Sequence, residues 1–190
     1  TLSDSGINSI YKDQSGTIWA LAWEKGILKY DSQSDTFINY PRIGERNAPF
    51  TMFQDRDGNY WIGTWGEGLW QFYPERTASQ CYKRHHVTNS KDGQSDPVFY
   101  SLTQDDTFGY LWALSHNELY TLKITDAGNL EKVDIHDLLD THMMYTRIFK
   151  DRNGHLWLSS YDMAYTIFFD NSRIENYQLP QIKERLEWDA

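Results

Sequence analysis

One short pattern occurs four times in this 190-residue chain and constrains its fold more than any other feature. An aspartate is followed three positions later by a glycine and six positions later by a tryptophan. The tryptophans are 42, 51 and 45 residues apart. A repeat of this length indicates a solenoid, an array or a propeller. The copies are Asp13-Gly16-Trp19, Asp55-Gly58-Trp61, Asp106-Gly109-Trp112 and Asp151-Gly154-Trp157.

Each copy has the composition of a tight turn between two strands. In the second copy, the β-rich run 50–53 precedes the turn and the run 60–62 follows it. Glycine reaches a positive φ without strain, and an aspartate carboxylate can accept hydrogen bonds from turn amides. The tryptophan then enters the second strand, where its ring can fill the space between stacked sheets. The twelve residues of the pattern are therefore predicted to be structural.

The whole chain is predicted to be all-β. Each unit contains four short strand-like runs joined by connections short enough for antiparallel hairpins, and four-stranded units of this length are typical of β-propeller blades. In the third unit, Asp105 competes with Asp106 as the turn aspartate. A tail at 180–190 is either a frayed end or the start of another blade. The predicted blades are 7–40, 50–87, 98–135 and 145–179.

Composition excludes several classes of function. The net charge of −9 and the absence of a basic stripe argue against binding to nucleic acid. A single cysteine, Cys81, cannot form an internal disulfide. No run of residues approaches the length of a membrane span, so contact with a membrane is expected only through other parts of a parent protein. The first residue is Thr1, which leads us to expect a processed chain or a piece of a longer one.

The residues around the first two turns resemble the two-component regulator propeller repeat. The resemblance is carried by 7–19 and 55–64, and by the segments 26–31 and 68–70 that follow them, each of which begins with a glycine. It implies a segment of a larger propeller of about seven blades in the periplasmic sensor region of a hybrid two-component regulator. It also implies detection of carbohydrate breakdown products, with a membrane span and a histidine kinase elsewhere in the parent protein.

Catalytic and metal sites are not predicted. The aspartates of the pattern recur in every unit, so symmetry distributes them around a rim, whereas glycoside hydrolysis needs two carboxylates in one cleft. His85 and His86 are adjacent on a strand and point to opposite faces, so we do not expect them to share a metal ion. No serine lies in a nucleophile elbow, and no glycine loop cradles a phosphate. We therefore expect no catalytic residue, no metal and no cofactor.

Functional residues are expected where the units differ, at the end of each hairpin opposite the aspartate turn. Four residues after each tryptophan stands a planar side chain, and acidic residues lie beside the first two. These rings either stack on the faces of a sugar, with Glu24 and Glu67 accepting hydroxyl hydrogen bonds, or cap the core between blades. The four planar residues are Trp23, Trp65, His116 and Tyr161.

The sequence thus favours a non-catalytic periplasmic sensor segment that recognises an oligosaccharide, contributes to self-association of the parent ectodomain, or does both. Two alternatives stay open. A propeller lyase or hydrolase acting on a glycan would need titratable groups gathered in one pocket. A protein-interaction scaffold would use the exposed faces of an incomplete ring.

Overall fold

The computed structural model describes residues 6–87, 96–116, 118–135 and 145–160 in full, and the backbone of two strands over 164–170 and 173–178. The described residues form four sheets of four strands each. The strands of the first two sheets are β1 (Ile7–Lys12), β2 (Ile18–Ala22), β3 (Gly26–Asp31), β4 (Thr36–Asn39), β5 (Pro49–Gln54), β6 (Tyr60–Thr64), β7 (Leu69–Phe72) and β8 (Tyr82–His85).

The third and fourth sheets repeat this arrangement. Within every sheet the strands follow one another in chain order, and each pairs antiparallel with the next. The prediction of an all-β chain is confirmed, and the described residues contain no helix. The remaining strands are β9 (Phe99–Gln104), β10 (Leu111–Ser115), β11 (Leu119–Ile124), β12 (Leu130–Lys132), β13 (Tyr145–Lys150), β14 (Leu156–Ser160), β15 (Ala164–Asp170) and β16 (Arg173–Gln178).

The sheets stack side by side through their first strands, with β1 beside β5, β5 beside β9 and β9 beside β13. The tryptophan of each of the first three turns packs against the following sheet. Trp19 and Met52 share the core between the first two sheets, Trp61 and Leu102 the next, and Trp112 and Ile148 the third. All three tryptophans are at most 1% exposed, so their large rings are enclosed between the sheets.

Antiparallel order gives every sheet two distinct ends. The aspartate turns join the first strand to the second, and we call this the turn end. The connections from second to third strand lie at the opposite end, because each follows the far end of the second strand. The linkers that lead from one sheet to the next, such as 40–48, also begin and end there. We call this the linker end.

Among the described residues, none belongs to a helix of the length and apolar character that crossing a membrane requires.

Candidate functional site

The aspartate turns are closed structural units. The carboxylate of Asp13 accepts hydrogen bonds from the amides of Ser15 and Thr17, each at 2.9 Å, and from Nε1 of Trp19 at 2.8 Å. The Tyr60 hydroxyl of the next sheet donates a further bond of 2.7 Å. Burial acts to raise the pKa of Asp13, but these bonds outweigh it and lower the pKa to about 2. Asp13 is ionised at neutral pH and holds its turn.

Asp55 and Asp151 form the same arrangement in the second and fourth sheets. Nε1 of Trp61 lies 2.8 Å from the Asp55 carboxylate, and Nε1 of Trp157 lies 3.0 Å from that of Asp151. Each aspartate also accepts bonds from the amides two and four positions later. The bond from Trp157 is the main cause that lowers the pKa of Asp151 to about 2. The glycines of the four turns have φ values of 90°, 86°, 72° and 86° at Gly16, Gly58, Gly109 and Gly154.

The third turn corrects the predicted pattern, because Asp105 rather than Asp106 holds it. Nε1 of Trp112 lies 3.0 Å from the Asp105 carboxylate, which is fully buried. Asp106 instead accepts a bond of 2.7 Å from Nζ of Lys150, and its side chain is 62% exposed. The amide of Asp105 pairs with the carbonyl of Tyr110. This turn therefore encloses one residue more than the first turn, and the fixed spacing to tryptophan selected the wrong aspartate.

Two glutamines that the sequence reading missed link neighbouring turns. Gln54 ends β5, and its Oε1 accepts a bond of 2.9 Å from the amide of Gln14 in the preceding turn. Gln104 ends β9 and does the same for the amide of Arg56, at 2.8 Å. Both stand immediately before the turn aspartate of their own sheet. The sequence feature that could have indicated this link is a glutamine at the last position of the first strand in each of these two sheets.

At the linker end, three of the predicted planar residues form a continuous row. The ring centroids of Trp23 and Trp65 are 5.9 Å apart, and those of Trp65 and His116 are 6.0 Å apart, both edge to face. Phe50 packs on Trp65 at 5.6 Å, and Tyr100 packs on His116 at 5.1 Å. Trp23 is 40% exposed and Trp65 is 36% exposed. The row therefore bridges the first three sheets and leaves both tryptophan residues more than a third exposed. Tyr161, the fourth predicted residue, lies outside the described residues.

The two predicted glutamates have different surroundings. Glu24 is exposed beside Trp23 and has a φ of 65°. Glu67 is 7% exposed, and its carboxylate accepts bonds from the amides of Glu45 at 2.8 Å and Arg46 at 3.2 Å. Glu67 thus does not stand at the surface with Glu24; it anchors the linker between the first two sheets.

An open cavity of about 330 Å³ lies between Trp65 and His116. Its lining comes from two linkers as well as from the row, and includes Arg46, Asp96 and Val98. The Asp96 carboxylate accepts a bond of 2.8 Å from Nη2 of Arg84, and Nδ1 of His86 lies 3.4 Å away. The cavity therefore combines indole and imidazole rings with one buried, paired carboxylate and one exposed guanidinium.

The described residues contain no cluster of three or more histidine, cysteine, aspartate or glutamate side chains suited to hold a metal ion.

Part of the chain matches the model of a known protein family. Residues 44–66 match the family model of the two component regulator propeller. This range contains the second turn, so the resemblance read from its residues is confirmed there. Comparison with curated protein sequences gives no match.

Solved structures share the fold at low sequence identity. Virginiamycin B lyase from Staphylococcus aureus is 17% identical, with a TM-score of 0.66 over 94% of this chain and 57% of the lyase. The extracellular domains of two hybrid two component systems from B. thetaiotaomicron are 19% and 18% identical, with TM-scores of 0.68 and 0.65. They cover 92% and 91% of this chain, which spans only 24% and 23% of their length. The likeness confirms the predicted β-propeller fold; function rests on the site itself.

Proposed function

We propose that this chain is a non-catalytic segment of the extracellular or periplasmic sensor region of a two-component regulator, and that its linker end recognises a carbohydrate. One observation carries the proposal: the row of Trp23, Trp65 and His116 stays accessible beside a cavity. The match of residues 44–66 to the regulator propeller model supports the signalling context. The fold shared with extracellular domains of hybrid two component systems is consistent with it.

The chemistry of the row suits a sugar. An aromatic ring gives a flat apolar surface with a polar N–H at its edge, which matches the apolar face and hydroxyl rim of a pyranose. A small-ligand site combines such rings with a few polar groups that fix orientation. Here the cavity supplies Arg46 and Asp96 next to Trp65. The turn end is alike in every sheet, as a structural feature should be, whereas the linker end varies. This difference supports a ligand site at the linker end.

Signalling by such a segment requires that ligand binding favours one of two states of the receptor. We propose that the carbohydrate changes the relation between protomers of the parent ectodomain, since the cavity lies where linkers from successive sheets meet. Only differential affinity for the two arrangements can shift their populations. The proposal therefore requires a second binding partner besides the carbohydrate, namely another copy of the parent ectodomain.

Calorimetric titration of the complete ectodomain with a panel of oligosaccharides tests the proposal. We expect one or more to bind, and Trp65→Ala to weaken binding at least tenfold while the unfolding midpoint changes little. Phe108→Ala is the matched control, because Phe108 is an aromatic residue, 50% exposed, at the turn end. Absence of binding across the panel, or equal loss in both variants, would contradict the carbohydrate proposal.

A second candidate function is that of an enzyme, because a lyase shares this fold. In that case His116, which lines the cavity, would be the candidate for proton transfer. Among the described residues that line the cavity, Asp96 is the one carboxylate, and it is paired with Arg84. Hydrolysis of a glycoside uses two carboxylates that flank the bond. Chromatography of each bound oligosaccharide after prolonged incubation separates the two functions: a sensor returns it intact.

A further inference from the structure

The cavity beside Trp65 is lined by an exposed guanidinium, that of Arg46, and this feature narrows the class of ligand. We infer that it binds the carboxylate of an acidic sugar, such as a terminal uronic acid, with Arg46 as the group that holds it. The inference rests on the proposed carbohydrate-sensing function and assigns its specificity.

Arg46 is positioned by its backbone. Its amide donates to Oε2 of Glu67 at 3.2 Å, and the amide of Glu45 donates to Oε1 at 2.8 Å. Gly44 lies so close to this carboxylate that a Cβ there would stand 2.5 Å from Oε2, and its φ is 62°. The linker is thereby fixed against the second sheet. It places the Arg46 side chain at the cavity.

The guanidinium lies beside the ring that would hold a sugar. Nη1 of Arg46 stands 3.4 Å from the place of a Cβ on Gly66, the residue that follows Trp65. Arg46 is exposed. Within the described ranges of the chain, no carboxylate forms an ion pair with it. Its fork of N–H donors matches the two oxygens of a carboxylate.

The buried carboxylates beside the cavity already have other partners. That of Glu67 accepts hydrogen bonds from the amides of Glu45 and Arg46. The carboxylate of Asp96 is 3% exposed and is already bonded to Arg84 at 2.8 Å. His116 adds an imidazole that can donate a hydrogen bond. In a chain with a net charge of −9, Arg46 therefore supplies an exposed positive charge at the cavity. Its volume of about 330 Å³ lies at the lower end for small-ligand sites and suits one sugar ring.

The test compares matched oligosaccharides that end in glucuronate, in glucose or in glucose 6-sulfate. Calorimetry on the complete ectodomain should show the glucuronate form to bind at least tenfold tighter than the glucose form. Arg46→Gln should remove most of this preference, since a charge-assisted bond contributes roughly a tenfold to hundredfold change in affinity. The affinity for the glucose form should stay unchanged.

Arg42→Gln is the control, because Arg42 is an exposed arginine of the same linker whose Nη2 donates to the carbonyl of Glu45 at 2.8 Å and which does not line the cavity. It should retain the glucuronate preference. Equal binding of the glucose and glucuronate forms, or a preference that survives Arg46→Gln, overturns the assignment. Tighter binding of the sulfated form overturns the choice of a carboxylate.

The two proposals fail in different ways. If neutral sugars bind as tightly as the glucuronate form and Trp65→Ala abolishes their binding, the sensor proposal stands and the acidic-sugar inference falls. If none of the three forms binds and the wider panel is also silent, both fall. Unfolding midpoints of all variants, measured in parallel, show whether a loss of affinity reflects a loss of fold.

Discussion

Ile10 and Met52 occupy the same position in successive sheets, three residues before the turn aspartate, yet Ile10 is 71% exposed and Met52 is 4% exposed. The corresponding Leu102 and Ile148 are 8% and 4% exposed. Each buried member packs against the turn tryptophan of the preceding sheet. No described sheet precedes β1, so the apolar side chain of Ile10 faces solvent.

This difference predicts unequal costs for the same kind of truncation. Met52→Ala should lower the free energy of unfolding by about 2–5 kcal/mol, because it leaves a cavity between two sheets. Ile10→Ala should change it by less than about 0.5 kcal/mol in the isolated chain. Denaturant unfolding of both variants measures the difference. Comparable losses would show that Ile10 is covered in solution.

The corrected third turn predicts opposite outcomes for adjacent aspartates. Asp105→Ala leaves Nε1 of Trp112 and several turn amides without an acceptor, and each buried unpaired donor costs about 1–3 kcal/mol. We expect a total loss of about 3 kcal/mol or more. Asp106→Ala removes one exposed ion pair with Lys150 and should cost less than about 1 kcal/mol. Thermal unfolding of the two variants measures both losses. A larger loss of stability in Asp106→Ala would contradict the assignment of Asp105 as the turn aspartate.

The buried His85 predicts a fall in stability as the solution becomes acidic. It is 5% exposed, its ring packs on Trp61, and its Nε2 lies 3.2 Å from Oε1 of Gln71. Burial, followed by the charges of Lys83 and His86, lowers the pKa of His85 to about 4. In the unfolded chain the pKa of histidine is about 6.5.

Because the unfolded state binds this proton first, the contribution of neutral His85 is complete above about pH 6.5 and is lost as the pH falls toward 4. The unfolding midpoint in denaturant should therefore drop between pH 7 and pH 4.5, and His85→Gln should flatten that drop. The lowered pKa of Asp13 acts in a separate window, below about pH 4. An unchanged slope in His85→Gln would refute the role of His85.

Gly63 predicts a steric limit on the second strand. A Cβ at this position would stand 2.6 Å from the carbonyl oxygen of Phe99 in the next sheet and 2.6 Å from Cγ2 of Thr51. Gly63→Ala should therefore cost about 1–3 kcal/mol through forced separation of the sheets. Gly6→Ala is the control, because nothing lies within 4 Å of its Cβ position. Equal unfolding midpoints for both variants would contradict this packing.

The strands and their order were predictable because the chemistry that sets them is local. Asp55, Gly58 and Trp61 lie within one hairpin, and their spacing alone indicates it. The same locality explains why Asp106 was predicted wrongly. Asp105 and Asp106 are adjacent, and either fits the composition of the turn. Only the hydrogen bond from the amide of Asp105 to the carbonyl of Tyr110 shows which of them closes it.

The site was less predictable because it depends on distant segments. The row of Trp23, Trp65 and His116 followed from equivalent positions in the repeat. The burial of Glu67 depends on the path of residues 44–46, and the cavity gains Arg46 and Asp96 from two linkers that carry no repeated signal. No sequence pattern indicates that Arg46 and Asp96 lie beside the same cavity.

The bond from each turn aspartate to its tryptophan has a consequence for how such chains evolve. Donor and acceptor lie six or seven residues apart, so one stretch of coding sequence carries both. Duplication of a unit copies a complete turn, and deletion removes one without leaving the indole N–H of a neighbour unpaired. The number of sheets can change in this way by whole units, while linkers such as 40–48 carry no repeated pattern that ties them to one unit.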